Sequence, residues 1–409
     1  MKKQVIVIGG GASGLAAAIM AKTNHHSVLL LERNHDCGKK LSMTGNGRCN
    51  YYNQDQDLSH YHTTEQEVLK EIITEENQKS LLTFFDEIGL VSRIREGYYY
   101  PYSNQASSVT KLLKKKAEEL GVRTETDCLV QTIVKKSDKF YLETTKGPKQ
   151  ADVVILAAGS KAYTKTGSDG SSYELAQRLG HTILPVLPSL TFLKGQEKAL
   201  YKIWAGVRSE AILTLYENGQ VKKVEQGEIQ LTKEGISGIC TFNLSRFVAH
   251  GLLDGTKEEI KINFLPCLEK PTKEIARNFF EERNHKLKNR TLAELLEGIL
   301  KEKLITVILK KAHLRESIAW QELSMEEQDR FLEILLAFPF SPIQTGDYEQ
   351  AQVCQGGIPL KEINCQTMES KKVKGLFLVG ELLDVDGDCG GYNLTFAFLS
   401  GMLAGKGIK

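Results

Sequence analysis

Apolar positions in the first 190 residues fall into short β-branched runs separated by stretches of helical period, the pattern of alternating strands and helices. The runs Gln4–Ile8, Ser27–Glu32, Leu129–Lys135, Lys139–Thr145 and Asp152–Ala157 predict strands. The stretches Ala12–Thr23, Glu65–Thr74, Gln78–Ile88 and Ser107–Leu120 predict helices. Lys136-Ser137-Asp138 joins two of the strands into a hairpin just ahead of the continuous apolar run Val153–Leu156. At Leu184-Pro185-Val186-Leu187-Pro188 the pattern breaks, because proline favours extended or turn backbone on both sides of it. Residues 190–264 then read as β-rich and 271–336 as helical, and from about 350 the α/β pattern returns with a buried run at 375–381 and a helix over Asn393–Lys406. One α/β domain in two pieces, 1–189 and 341–409, is expected, interrupted by a β-rich insert (190–268) and a helical insert (269–340).

A length of 409 residues calls for two or three cores, and 41% hydrophobic with 25% charged residues is ordinary for a globular chain. The net charge of +2 says nothing about partners. No apolar run reaches the ~18 residues of a membrane span, and Gln4–Ile8 is too short for a secretory segment. A cytoplasmic chain with reduced thiols is therefore expected. Its eight cysteines (37, 49, 128, 240, 267, 354, 365 and 389) include no Cys-x-x-Cys and no zinc spacing, so no metal is expected. There is no internal repeat.

The first strand runs into Gly9-Gly10-Gly11-Ala12-Ser13-Gly14 and then a helix, so Gly9, Gly11 and Gly14 match G-x-G-x-x-G in its proper context. The first glycine permits the tight turn, the second lets backbone approach a pyrophosphate, and the third lets helix and strand pack closely. The helix then presents unpaired N–H groups, Ala12 and Ser13 among them, to the anion. Glu32 ends the second strand 18 residues after Gly14, where an acid holds an adenosine ribose, with Arg33 beside it. FAD is favoured over NAD by three later segments. Cys37-Gly38-Lys39-Lys40-Leu41 follows the acid closely, as in flavoproteins whose chain wraps the cofactor. Val153 to Gly159, ending in Ala158-Gly159, resembles the strand-turn of FAD-binding domains. Leu376 to Glu381, followed by Asp386 to Asn393, resembles the C-terminal flavin strand and helix, with Gly380, Glu381, Asp386, Gly391, Tyr392 and Asn393 as cofactor-binding candidates. A second G-x-G-x-x-G and a redox cysteine pair are both missing, which disfavours a disulfide reductase of the glutathione-reductase type.

The loop Ser42-Met-Thr-Gly45-Asn46-Gly47-Arg48-Cys49-Asn50 is more specific. It resembles the "SGGGRCNxTN" segment of the BaiN/YhiN-like, aminoacetone-oxidase-like FAD-dependent oxidoreductases. Tyr100-Pro101, Thr166-Gly167-Ser-Asp169-Gly170, Gly227 to Gly238, Gly356-Gly357 and Gly390-Gly-Tyr-Asn393 look similar in the same order, so the likeness covers nearly the whole chain. Asn46 stands where the family commonly has Gly, Cys354 and Cys389 where Thr is common, and Thr395-Phe396 where Gln-Trp is frequent. The resemblance implies a glutathione-reductase-like FAD-binding Rossmann domain carrying a β-barrel-like and a helical insert. Members have been connected with aminoacetone oxidation, bile-acid metabolism and dihydrouridine formation in ribosomal RNA.

Candidate chemistry beyond FAD binding is sparser. Gly45, Gly47, Arg48 and Asn50 should pass beside the flavin; Arg48 is placed to counter reduced-flavin charge or hold an anionic substrate, and Arg48 and Asn50 are the catalytic candidates. Tyr98, Tyr99, Tyr100 and Tyr102 form either a stacking surface or a packed edge strand. His313 and Arg315 are either acids near substrate or surface residues. Lys270 to Arg315 holds twelve Lys/Arg against six Glu, a local +6 that suits an RNA backbone or a solvated face. The leading expectation is an NAD(P)H-reduced flavoenzyme acting on uridine in ribosomal RNA. The alternatives are a small-molecule oxidase or dehydrogenase with an aminoacetone-like amine or hydroxysteroid substrate, and a non-catalytic, flavin-stabilised RNA-binding protein.

Overall fold

The computed structural model describes residues 2–269 and 271–409, and the chain divides into two compact units. One comprises the chain up to Pro188 together with Tyr348–Lys409; the other is Ser189–Asp347.

The first unit is built on β1 (Gln4–Ile8), α1 (Ala12–Thr23), β2 (Ser27–Leu31), α2 (Ala106–Glu119), β3 (Arg123–Glu125), β4 (Val153–Leu156), β5 (Leu376–Leu378) and α3 (Tyr392–Gly407). The five strands form one parallel sheet in the order β5-β4-β1-β2-β3, with Val5 opposite Val153 and Ile6 opposite Leu29. Every residue of β4 and β5 is buried, which is why both read as unbroken apolar runs rather than alternating ones. The predicted hairpin is present as Val130–Lys136 and Lys139–Thr144, extended by Lys149–Ala151 and leading directly into β4.

Helices α1 and α3 lock the two ends of the chain together. A methyl group on Gly401 would sit 2.2 Å from Ser13 O, and one on Gly405 would sit 2.6 Å from Ala17 O. The helices therefore meet backbone to backbone, and only small residues fit the contact. Ser13, Ala17 and Ala21 line it at four-residue spacing on α1, and all three are buried.

Ser189–Asp347 holds a seven-stranded sheet in the order Phe338–Phe340, Glu258–Asn263, Arg208–Glu217, Gln220–Leu231, Gly235–Ser237, Leu193–Gly195 and Pro342–Thr345. Helices Lys273–Lys286, Leu292–Leu296, Glu302–Lys311 and Met325–Leu336 follow where helical pattern was expected. Sheet and helices share one apolar core, in which Leu213, Leu215 and Ile260 join Phe280, Leu304 and Phe331. The stretch expected to be β-rich also contains a 16-residue helix, Ile239–Asp254. Its Ile, Thr, Phe and Val content favours strand locally, but Cys240, Leu244 and Val248 are buried at four-residue spacing, and tertiary packing decides.

Candidate active site

Four neighbouring strands, β5, β4, β1 and β2, deliver their carboxyl ends to one edge of the sheet, where ligand crevices form in open α/β folds. Gly9 takes φ +101°, and a methyl there would lie 2.6 Å from Ala157 O and 2.8 Å from Ala158 Cα; one on Gly14 would lie 1.8 Å from Gly9 O. Nothing lies within 4 Å of a methyl built on Gly11, so the space over the first turn of α1 is open. Gly11 caps α1 without a side-chain hydrogen bond, which leaves first-turn N–H groups for an anion.

Glu32 is buried at the end of β2. Its Oε2 accepts from Gly10 N–H at 2.7 Å, while Oε1 accepts from Asn34 N–H at 2.8 Å and from Asn34 Nδ2 at 2.7 Å. An ionised carboxylate offers about four acceptor positions, so capacity remains for a ribose hydroxyl. Arg33 reaches across to Asp169 at 2.6 Å and to Gly167 O at 3.1 Å. These two lie with Leu129, Val130, Glu174 and Arg178 around a shallow cleft at this adenosine-like end. Lys40 pairs with Glu381 at 2.6 Å, and the other Glu381 oxygen accepts from Cys354 N–H at 3.0 Å; Lys39 is exposed. Gly380 sits on Ser13: a methyl there would lie 2.5 Å from Ser13 Oγ. Gly159 O accepts from Ser172 Oγ at 2.7 Å.

At the other end, Gly45, Asn46 and Gly47 all take left-handed backbone, and Arg48 Nε donates to Gly45 O at 3.3 Å with the side chain otherwise exposed. Asn50 lies beside Gly391, the cap of α3, at φ +98°; a methyl on Gly391 would be 3.0 Å from Asn50 Oδ1. That oxygen is buried and accepts no hydrogen bond among the described residues. α3, like α1, has no side-chain cap. An orphan acceptor beside free helix N–H groups suits a heterocycle edge that presents a donor between carbonyls, as a flavin pyrimidine does. Asp386 is buried in a two-residue strand, and the Asn393 amide is committed to Gly387, accepting from its N–H at 2.9 Å and donating to its O at 2.7 Å. Asn393 thus clamps a turn.

Sequence reasoning missed three residues here. His60 Nδ1 lies 3.2 Å from Asp388 Oδ2, and His62 Nε2 lies 2.9 Å from Asp388 Oδ1. The His60 ring stacks on Tyr392 at 4.6 Å and 15°. The His-x-His spacing opposite an acid-rich run was the available signal. Of the four tyrosines, Tyr99 packs edge-on against Tyr52 at 5.1 Å, whereas Tyr102 is exposed. His313 and Arg315 are exposed in the other unit.

The basic segment is matched in part within its own unit. Lys273 pairs with Glu333, Arg277 with Asp329, Arg290 with Glu294 and Lys311 with Glu197, while Arg283 donates to the carbonyls of Leu295 and Glu297; Lys270 lies outside the described residues. Burial pushes the Cys37 and Cys49 thiols up to about 12, so neither is a thiolate nucleophile at neutral pH. No metal-holding His/Cys/Asp/Glu group occurs among the described residues, and none of their helices is long and apolar enough to cross a membrane.

A ribose acceptor, an anion seat and a donor–acceptor edge are what FAD asks of a protein. The residues fit it, and the protein is an FAD-dependent oxidoreductase; bound FAD supplies hydride chemistry, while the chain supplies position and electrostatics. The chain belongs to the family described as HI0933-like protein Rossmann domain, which it matches over residues 3–407. It is 38% identical over 402 residues to the 3-dehydro-bile acid delta(4,6)-reductase of Clostridium scindens, covering 98% of this chain and 97% of that protein. It is 24% identical over 397 residues to the ribosomal RNA dihydrouridine synthase of Escherichia coli, covering 97% of this chain and 95% of that one. The Haemophilus influenzae protein of the same name is 24% identical over 403 residues, covering 97% and 96%.

Proposed function

We propose that this protein reduces a carbon–carbon double bond conjugated to a carbonyl in a small-molecule, steroid-like substrate, with FAD as the hydride source and NAD(P)H as the electron donor. The observation that carries the reading is the 38% identity to a bile acid reductase along essentially the full length of both chains. The chemistry is shared more widely: a 3-oxo-Δ4,6 steroid and the uracil ring of uridine both offer an electron-poor double bond beside a carbonyl. Charge tilts the same way only in part, because three of the segment's cations pair with acids from outside it, Glu333, Asp329 and Glu197, which halves its local excess.

In this reading Gly11, Ala12 and Ser13 at the α1 N-terminus seat the pyrophosphate, and Glu32 takes the ribose with Arg33 beside the adenine. Lys40, paired with Glu381, lies along the ribityl–phosphate stretch with Lys39, Ala158, Gly159 and Gly380. Asn50 and the N–H groups after Gly391 hold the pyrimidine edge. Arg48, exposed on its left-handed loop, addresses an acidic group of the substrate. The test is anaerobic. Flavin is reduced with NADPH or NADH, and then a 3-oxo-Δ4,6 steroid, protein-free ribosomal RNA or air is added. Reoxidation by the steroid with loss of its conjugated absorbance supports the reading. Reoxidation by RNA with loss of uridine replaces it with the ribosomal substrate, and reoxidation by air alone replaces it with an oxidase.

A further inference from the structure

A carboxylate recognises a ribose hydroxyl only if a lone pair points at it, and a glutamate side chain rotates among many conformers unless neighbours fix it. Glu32, the acid assigned to the adenosine ribose, is fixed at both oxygens. Its Oε1 accepts twice, from Asn34 N–H at 2.8 Å and from Asn34 Nδ2 at 2.7 Å, which fills both lone pairs of that oxygen. Its Oε2 accepts once, from Gly10 N–H at 2.7 Å. A carboxylate has about four acceptor positions, so the one that remains lies on Oε2, the oxygen held against the glycine turn. Asn34 thus decides which oxygen is left to a ligand.

Asn34 is itself held from far along the chain. Its Nδ2 also donates to Thr166 O at 2.9 Å, and Thr166 is buried. Both partners of that nitrogen, Glu32 Oε1 and Thr166 O, are acceptors only, so the NH2 and not the carbonyl must face them. Turning the amide over would set oxygen against oxygen on two sides. Gly167 takes φ +96°, and a methyl there would lie 2.6 Å from Asn34 Nδ2, so the backbone of the 163–170 loop is seated directly on the amide. Arg33 fastens the same loop, pairing with Asp169 Oδ2 at 2.6 Å and donating to Gly167 O at 3.1 Å. Asp169 Oδ1 accepts from Ser171 N–H at 3.1 Å and Ser171 Oγ at 2.7 Å. Burial opposes ionisation of Asp169, but the hydrogen bonds from Arg33 and Ser171 outweigh it and hold the carboxyl below its ordinary 3.8. The loop's anchor on Arg33 is therefore charged at neutral pH. Closing the short turn after β2 needs only the Asn34 backbone N–H; the amide bridge to a loop 132 positions away is additional.

We propose that Asn34 is a positioning residue for the cofactor: by bridging Glu32 to Thr166 it saturates Oε1 and leaves Oε2 as the acceptor for the adenosine 2′-hydroxyl of FAD. This rests on the reading of Glu32 as the ribose acid, and it is independent of which substrate is reduced. Asn34 acts through Glu32 and contributes by orientation. Without its amide, Oε1 keeps one backbone N–H and regains a lone pair, and the carboxylate is free to turn. The ribose hydroxyl then meets an acceptor that must be ordered on binding, and that ordering is subtracted from affinity.

The experiment titrates the full-length chain with FAD and with FAD lacking the adenosine 2′-hydroxyl, following flavin fluorescence. Wild type should bind FAD more tightly than the analogue by at least about tenfold, as a hydrogen bond to a charged group requires. Asn34→Ala should weaken FAD by about tenfold while changing the analogue by less than about twofold, so that the preference is largely lost. Asn34→Asp keeps the shape but cannot donate; it should lose the preference as well, and it carries the comparison if Asn34→Ala does not fold. Glu32→Gln should also lose the preference, and adding Asn34→Ala to it should cost FAD binding nothing further. Recovery of the wild-type preference in Asn34→Asp overturns the proposal, because shape alone then suffices. Equal losses for FAD and the analogue in the Asn34 variants overturn it too, as does additivity with Glu32→Gln; in these cases the ribose assignment of Glu32 stands. A wild-type chain that binds both flavins equally sinks that assignment, and the role of Asn34 falls with it.

Discussion

Buried carboxylates divide the two units unequally. In the first unit Glu32, Glu362, Asp384, Asp386 and Asp388 are all buried, whereas in Ser189–Asp347 Glu258 is the single buried carboxylate among the described residues. The interior of that second unit is instead made of groups such as Trp204, Phe264, Phe280 and Phe331. Taking a carboxylate out of water costs several kcal/mol unless hydrogen bonds or cations replace the solvent. The first unit bears that cost repeatedly, each time with donors at hand: Gly10 and Asn34 for Glu32, Thr64 for Asp384, the histidines for Asp388. The second unit is stabilised by ordinary apolar burial. Buried charge of this kind is the usual mark of a functional region.

Substitutions at four places break or sharpen that contrast. The largest effect is expected at the fingerprint. Gly14→Ala puts a methyl 1.8 Å from Gly9 O, where backbone cannot yield, so the variant should fail to give a folded yellow protein. Gly11→Ala meets no protein atom and should keep wild-type circular dichroism while losing FAD affinity by at least about tenfold, or about 1.4 kcal/mol. Equal behaviour of the two in a flavin-release titration would remove the assignment of Gly11 to the cofactor side.

Next comes Glu362. Burial opposes its ionisation, but hydrogen bonds from Lys372, Thr182 and His181 outweigh that and hold its carboxyl at about 2, below the ordinary 4.5. A depressed folded-state value means stability that is present above pH 4.5 and lost as pH falls toward 2, worth about 3 kcal/mol. His181, lowered chiefly by burial, acts in the same sense nearer its ordinary 6.5. Urea melts of Glu362→Gln should show most of that loss at pH 7 and convergence with wild type near pH 2.

Glu258 in the second unit should respond with the opposite sign. Burial raises its carboxyl, and its Oε2 has no partner among the described residues, although Thr256 donates to Oε1 at 2.6 Å. Its contribution is present below the ordinary 4.5 and is lost as pH rises through the raised value. Glu258→Gln should therefore leave stability at pH 7 unchanged or increase it by up to about 1 kcal/mol. A loss comparable to that of Glu362→Gln would show that the two units handle buried charge alike. The smallest effect is expected for Lys288→Glu, Lys301→Glu and Lys310→Glu, all at exposed positions. Each should change stability by less than about 0.5 kcal/mol and leave steroid turnover alone. A marked fall in RNA-dependent reoxidation would instead restore the basic face as a docking surface.

What was readable beforehand follows from the range over which each feature is encoded. Strand β1, helix α1 and Glu32 are specified by residues within about thirty positions of each other, and all three lie where spacing placed them. The hairpin before β4 needed only its own alternation and turn. The two-residue strands Tyr52–Asn53 and Tyr61–His62 carry no period to detect and exist because partners at Tyr98–Tyr99 and Asp386–Gly387 reach them. Helix Ile239–Asp254 was hidden by residues whose local preference is for strand.

The sequence by itself thus determined the Rossmann scaffold, the glycine turn, the acid that ends the second strand and the C-terminal helix, because backbone sterics and hydrophobic period act over neighbouring residues. Tertiary structure alone decided the rest. It brought Asn50 to Gly391, Lys40 to Glu381 and two histidines to Asp388 across more than 300 positions, turned the Asn393 amide onto Gly387, and matched Lys273, Arg277 and Lys311 with acids from other elements. Buried polar groups must find partners wherever packing puts them, and no local pattern records which ones they find.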